Sequence, residues 1–216
     1  MPVSTKQRIL EAAIRCFNRQ GAANTRLQHI ADEADGMSVG NLAYHFRNKA
    51  AIVQAIWEVL EQQQRVFMAE FRILALFEDI ERQLYHSHQI QLAYPFFYLD
   101  TPDLLRTYPQ IGQAYRQHMR WQQQQIEIML TFNVSRGAFL PETLPGQHKA
   151  LAYTYLTTLE TWPGRRYLLG EEDRSYAAFR DTLWMLLSGC FTDLGRAEYT
   201  QLEALRQLQD SGLTGW

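Results

Sequence analysis

Apolar residues recur along this chain at intervals of three and four, from Ile9 to near the C-terminus, and that period predicts helix almost throughout. Ile9, Leu10, Ala13, Ile14 and Phe17 give a first helix, with Gly21 as its stop. Thr25-Arg26-Leu27-Gln28 reads as a capping box, in which Thr25 accepts from the Gln28 backbone N–H while the Gln28 side chain reaches back. A short second helix turns Leu27, Ile30, Ala31 and Ala34 inward. Asp35-Gly36 breaks it, and Ser38 is placed to N-cap a third helix that carries Leu42 and Phe46 inward. Asn48 caps a long fourth helix, whose stripe runs through Ile52, Val53, Ile56, Trp57, Leu60, Gln64, Phe67 and Phe71.

Past residue 75 the predicted helices lengthen and prolines mark the breaks. Pro95 and Pro102 bracket an aromatic turn, "AYPFFYLDTPDLL". Pro109 can open a helix at its first position, continued by Ile111, Tyr115, Met119, Ile126 and Leu130. Leu151, Tyr155 and Leu159 predict another, ended by Pro163-Gly164, and Phe179, Leu183, Leu187, Cys190 and Leu194 one more. With no alternating strand run, internal repeat or low-complexity stretch, the expected fold is all-α. It divides into a helix-turn-helix head in residues 1–50 and a larger helical body in residues 51–216.

Composition narrows the function classes. The 216 residues are 46% apolar and 20% charged, ordinary values for a folded domain. "MPVSTKQRIL" turns polar at once, so no signal peptide is expected, and no apolar run reaches the roughly 18 residues of a membrane span. Cys16 and Cys190 lie far apart, which fits a reduced cytoplasmic protein with both thiols in the core. His86 and His88 fall on opposite sides of a helix, so no shared metal is expected. Acidic residues occur singly, and neither a phosphate-cradling glycine loop nor a nucleophile elbow is present. No catalytic constellation and no cofactor are expected. The net charge of −2 is unevenly spread: residues 1–50 hold seven Lys/Arg against four Asp/Glu, the remainder 14 against 19. A basic head on an acidic body suits a DNA-binding module.

Two short capped helices joined by a glycine-containing turn, with a bracing helix before them, make a helix-turn-helix, whose second helix enters the major groove with its N-terminus toward the bases. Here that end is Ser38, Val39, Gly40 and Asn41. Gly40 lets the backbone come close, and Asn41 can pair with the donor and acceptor on adenine. Thr25, Arg26, Ser38 and Lys49 are the candidates for backbone phosphates, and Tyr44 and His45 follow with hydrogen-bonding tips. Tyr44 could equally lie partly buried against the fourth helix with only its hydroxyl free.

These residues carry a resemblance. "RILEAAIRCFNRQGAANTRLQHIA" followed by "MSVGNLAYHFRNK" resembles the DNA-binding head of the TetR family of bacterial transcription regulators, over residues 5–55. Ser38, Gly40, Leu42, His45, Phe46 and Lys49 stand at the family's motif positions. "FFYLDTPDLLRTYPQIGQAYRQHM" resembles, more loosely, a subgroup of the same family. Two departures stand out. The turn Ala34-Asp35-Gly36-Met37-Ser38 is one residue longer than usual, and Ala43 takes the place of a phosphate-contacting Tyr.

The resemblance implies a ligand cavity in the body, for which Phe67, Phe71, Phe97, Tyr98, Tyr115, His118 and Tyr153 are candidates, each with core packing as its alternative. It also implies a dimer through the last two long helices. The residues point the same way, since Tyr176 to Leu194 carries apolar side chains on more than one face. The candidate interface is Tyr155, Leu159, Phe179, Leu183, Leu187 and Cys190. The expected function is that of a homodimeric repressor that holds a near-palindromic DNA operator and is released by a small apolar effector. The alternative is a helical small-molecule-binding or protein-interaction module with a degenerate helix-turn-helix, favoured by Ala43 and the long turn.

Overall fold

The computed structural model describes residues 4–70 and 75–210. Among them there is no strand, only a single bridge between Phe139 and Phe191. Helix α1 (Thr5–Asn24) opens on Ser4, whose side chain accepts from the Gln7 N–H, and buries Ile9, Ala12, Ala13, Cys16 and Phe17. At Gly21 the backbone leaves the helical region (φ 77°, ψ 155°), so the expected stop is a kink followed by one short turn. Helices α2 (Leu27–Glu33), α3 (Val39–His45) and α4 (Lys49–Glu70) follow, the last capped as expected by Asn48, which accepts from the Ala51 N–H at 2.9 Å. Beyond them lie α5 (Phe77–Ala93), α6 (Pro95–Leu99), α7 (Thr101–Thr107), α8 (Pro109–Ser135), α9 (Gln147–Leu169), α10 (Tyr176–Ser188) and α11 (Asp193–Asp210).

Two expected boundaries are corrected. Helix α9 does not end at Pro163-Gly164; it runs through Pro163 to Leu169 and is closed by Gly170 in the left-handed region (φ 65°). The helix expected to continue to Leu194 ends at Ser188. The chain there turns through the Phe139–Phe191 bridge, and the Thr192 side chain starts α11 by accepting from the Gly195 N–H at 3.1 Å. Gly195 is required at that entry, because a Cβ would stand 2.2 Å from the Ala138 carbonyl oxygen.

The chain forms two compact units, a division different from a cut at residue 50. One runs up to Arg65 and takes in Ile90–His118; the other comprises Val66–Gln89 and the chain from Met119 on. The first has a core of Ile9, Phe17, Ile30, Leu42, Ile52, Trp57, Phe96 and Phe97 with their neighbours. The second buries Phe77, Ile80, Ile126, Leu130, Phe139, Phe179, Leu183 and Trp184. In that second unit Glu81 accepts from Arg206 (2.6 Å), Trp184 Nε1 (2.8 Å) and the Tyr176 hydroxyl (2.9 Å), and so fastens α10 and α11 to α5. Arg136 and Glu198 add a two-pronged ion pair at 2.6 Å.

Candidate nucleic-acid interface

The reading surface is built by α2, the turn and α3. Ser38 caps α3 as expected, its Oγ accepting from the Asn41 N–H at 3.1 Å. Leu42 and Phe46 point into the core, which leaves Ser38, Gly40, Asn41, Ala43 and Tyr44 outward, with Val39 and His45 half-buried at the edges. The two alternatives for Tyr44 resolve toward solvent: the side chain is 86% exposed and meets the His45 ring edge-on. Gly40 is not demanded by the fold, since its φ is not positive and an added Cβ would meet nothing nearer than Ser38 Oγ at 3.9 Å.

The longer turn is accommodated by two successive left-handed residues, Asp35 (φ 59°) and Gly36 (φ 67°). Arg8 pairs with Asp35 at 3.1 Å, and Met37 packs onto the core. Arg15 and Arg19 both bond Glu33 and hold its carboxyl below the usual range. Those three arginines are therefore committed. Lys6, Arg26 and Arg47 are exposed and enter no ion pair among the described residues. Arg26 lies at the N-cap of α2 and Arg47 just past α3. Arg47 was not among the candidates from sequence; a cation directly after a reading helix is the signal that would have found it.

Two candidates are placed differently from expectation. Thr25 does not cap α2. It is buried, its hydroxyl donating to the Gly21 carbonyl at 2.8 Å, and the cap position falls to Arg26, whose N–H donates to His29 Nδ1 at 3.3 Å. The helix starts one residue later than the capping-box reading, and Thr25 braces the kink. Lys49 turns inward: its Nζ donates to the carbonyls of Ala22 (2.7 Å), Thr25 (2.9 Å) and Ala23 (3.4 Å), and burial lowers its pKa. An ammonium on the last carbonyls of α1 satisfies groups that a helix end leaves open. Both residues shape the surface from behind.

The candidates for an effector cavity fall apart. Phe71 lies outside the described residues, as does the side chain of Phe67. Tyr153 is 63% exposed on α9, on a face turned away from the unit's core. Phe97, Tyr98, Tyr115 and His118 do gather in the first unit, but as packing: Trp57 stacks on Phe97 at 5.4 Å, and Tyr115 and His118 abut its ring. Among them runs a buried polar relay, His118 Nε2 to Gln64 Oε1 at 2.7 Å and Gln64 Nε2 to the Tyr98 hydroxyl at 3.0 Å. Burial, and secondarily the charge of Arg65, lowers the His118 pKa to about 3. In the second unit an open surface depression of about 620 Å³ runs along α8, lined by Gln124, Gln125, Glu127, Ile128, Thr131, Phe132 and Ser135, none of them a candidate from sequence.

The candidate dimer residues are corrected as a group. Tyr155, Leu159, Phe179, Leu183, Leu187 and Cys190 are all buried within one chain, in the core of the second unit. A side chain already covered by its own chain has no area left to bury against a partner. Exposed residues of the same helices include Tyr153, Thr157, Thr161, Arg165 and Leu168 on α9, and Asp181, Thr182 and Met185 on α10.

The family described as "Bacterial regulatory proteins, tetR family" matches residues 9–56, and the TetR family described as "Bacterial transcriptional repressor" matches residues 49–199. The regulator AcrR of Shigella flexneri is 40% identical over 57 residues, 26% of this chain and 26% of its own length. The match thus spans about a quarter of that relative. A TetR-family regulator from Marinobacter aquaeolei VT8 has the same fold, with a TM-score of 0.81 at 21% identity over 94% of this chain and 98% of that one. SmeT, the repressor of a Stenotrophomonas maltophilia multidrug efflux pump, scores 0.62 at 23% identity over 88% and 92%, and has also been solved as a triclosan complex. No described helix is long and apolar enough to cross a membrane.

Proposed function

Because the chain belongs to the TetR family of bacterial transcription regulators, we propose that it acts as a homodimeric repressor. On this reading it binds a near-palindromic DNA operator through α3 and is released by a small-molecule effector. Residues 1–50 are the reading head and residues 51–216 serve effector binding and dimerisation. A cytoplasmic location goes with that role.

The observation that carries the reading is the outward face of α3. Ser38, Gly40, Asn41 and Tyr44 are turned to solvent, none is needed for packing, and Arg26 and Arg47 remain uncommitted. Val39 and His45 complete the face at its edges. Hydrogen-bonding tips and a bare backbone on a helix N-terminus suit base edges, and the two arginines suit phosphates. In a dimer the two reading helices would lie about 34–36 Å apart, one turn of DNA. The exposed faces around Tyr153, Thr157, Thr161 and Leu168 and around Thr182 and Met185 are apolar or hydroxyl-bearing apart from Arg165 and Asp181, and suit the contact between copies. An apolar effector accords with the triclosan complex of SmeT, a fact about that protein. An effector releases the repressor only by its differential affinity for the two forms.

A second reading, a helical binding module with a relic head, draws on Ala43 and on the inward turn of Lys49, which remove two expected phosphate contacts. One experiment separates the two. Fluorescence anisotropy would be measured with DNA from the gene's own upstream region and with scrambled DNA, across a salt series. The repressor reading expects tight, salt-sensitive binding about a thousandfold or more above the scrambled control. Failure to bind either DNA, or heparin, at low salt would leave the relic reading standing.

A further inference from the structure

Among the described residues of the second unit, six buried side-chain atoms reach no hydrogen-bond partner: Gln83 Oε1, His88 Nδ1, Gln122 Oε1, Gln125 Oε1, the Tyr155 hydroxyl and Glu160 Oε1. Every one of them can accept a hydrogen bond, and none is an amide or ammonium N–H. His88 belongs with the acceptors because its Nε2 meets the Arg174 carbonyl at 2.9 Å, which fixes the proton on that nitrogen. Burial lowers its pKa, so the ring stays neutral and Nδ1 keeps its lone pair. Gln83, His88, Gln122, Gln125 and Tyr155 are each at most 5% exposed. A buried acceptor left unpaired weakens a fold, and six in one unit, all lacking donors, point to something that supplies them.

Their places along the helices bring them to one level. The end of α8 meets the start of α5, where Asn133 Nδ2 donates to the Ala75 carbonyl at 2.9 Å. Ile126, Met129 and Leu130 share a core with Ile80 and Leu84, so the two helices run side by side in opposite directions. Eight residues on from Ala75 is Gln83, and eight back from Asn133 is Gln125, with Gln122 one turn further. Helix α9 follows α5 in the same direction: the Glu81 charge acts on the Tyr155 hydroxyl, and seven residues along both helices the His88 ring stands 6.0 Å from Trp162. That register sets Glu160 level with the stretch between Gln83 and His88. Phe179, 5.3 Å from both the His88 and the Trp162 rings, completes an aromatic wall beside them.

We propose that the interior between α5, α8 and α9 binds a flat aromatic cation of the amidinium class, whose several N–H donors meet these acceptors and whose counter-charge is Glu160. The inference rests on the reading of residues 51–216 as the effector-binding part, and it narrows the effector's class. An amidinium brings donors and no lone pair, so it answers several acceptors at once. A hydroxyl would bring its own lone pairs into a place already short of donors, and a carboxylate would set acceptor against acceptor. Burial pushes the Glu160 pKa up to about 8, the response of a carboxyl held from water without a cation, and a cation beside it favours the charged form. Trp162 and Phe179 give the ligand's ring an apolar surface.

Isothermal titration calorimetry would compare benzamidine, benzamide and benzoate on the full chain without DNA. The three share one ring and one planar head, whose N–H donors number four, two and none. Benzamidine is expected to bind about tenfold or more tighter than benzamide, with no heat from benzoate. In Glu160→Gln benzamidine falls to the affinity of benzamide. Gln125→Leu removes an unpaired acceptor, so it weakens benzamidine binding while the protein melts at the same temperature or higher; it also serves if Glu160→Gln folds poorly. The proposal is overturned if benzamide or benzoate binds as tightly as benzamidine, or if both variants keep the wild-type preference. It is equally overturned if none of the three binds, in which case the acceptors serve buried water. The titration contains no DNA, so failure of the wild type to bind its operator would sink the repressor reading and leave this site standing.

Discussion

Helix α3 and the α9–α10 pair use their residues in opposite ways. The short reading helix buries Leu42, with Phe46 just beyond it, and turns the rest of its side chains toward solvent or the rim. The long pair buries one row of large apolar residues, Tyr155, Leu159, Phe179, Leu183 and Leu187 among them, and shows solvent a mixture of threonines with Tyr153, Tyr167, Leu168, Leu169 and Met185. The difference teaches where function is written. On a helix that needs few contacts to stay docked, the outward residues are free of the fold, so their chemistry reports on a partner. On a helix that walls a core, the conspicuous residues report the core, and a partner must be sought in what is left over.

The largest effect that could break this contrast comes from truncating the core side. Phe179→Ala should cost about 3–5 kcal/mol of folding stability, as loss of a fully buried ring does, and the loss in a urea melt should not depend on protein concentration. A variant that merely dissociated into folded monomers would return Phe179 to the interface.

Acid should separate the regions next. The His118 pKa in the folded state, about 3, lies below its unfolded value near 6.5, so the unfolded chain binds the extra proton between those limits. Stability is complete above pH 6.5 and falls as pH drops toward 3, by up to about 1.4 kcal/mol per pH unit from this group. His118→Gln should flatten that part of the profile in a pH series of thermal melts.

Met185→Glu tests the leftover face. At 72% exposure the residue can take a charge without harm to the protomer, but two copies would bring two carboxylates into one interface. A loss of about 2 kcal/mol in dimer affinity, roughly thirtyfold, is expected in sedimentation, with the melting of the protomer unchanged. Unaltered association would place the contact elsewhere.

The same contrast explains what could be read in the sequence. The head was legible nearly residue by residue, because Ser38 as cap, Asp35-Gly36 as turn and Leu42 and Phe46 as anchors are local signals, settled within a few residues. Its misreadings are also local: a capping box can be written at Thr25 or one residue later, and only the tertiary setting put Thr25 inside. Helix periodicity in the body was legible, but which face met which was not. The aromatics Phe97 and Tyr115 pack on Trp57 through contacts separated by tens of residues, which no short pattern encodes. Pro163 misled as a stop because the helix continues through it to Leu169, while Thr192-Asp193, an available start signal, was hidden inside a run with helical spacing.

Smaller effects separate the two lysine-arginine roles in the head. Lys49→Met should remove the ammonium from the α1 carbonyls and cost about 1–2 kcal/mol of stability in a urea melt. Its effect on DNA should appear as weaker binding with an unchanged salt slope. Arg47→Ala should do the reverse, lowering the slope of log affinity against log salt by about one and leaving the melt alone.

The smallest change sharpens the contrast most. Gly40→Ala adds one methyl group to α3, in a conformation any residue adopts, with only Ser38 Oγ at 3.9 Å. In the free protein this should be neutral or stabilising by up to about 1 kcal/mol, because alanine loses less backbone entropy in a helix than glycine. If the N-terminal turn of α3 lies against base edges, the same methyl holds the backbone away from them and weakens operator binding by about tenfold or more, some 1.4 kcal/mol. Melting and anisotropy on one preparation read both quantities. A variant that melts higher and binds worse identifies Gly40 as a residue kept for a partner at the expense of the fold. A variant that melts higher and binds as before would move the DNA off this end of α3, toward Tyr44 and Arg47.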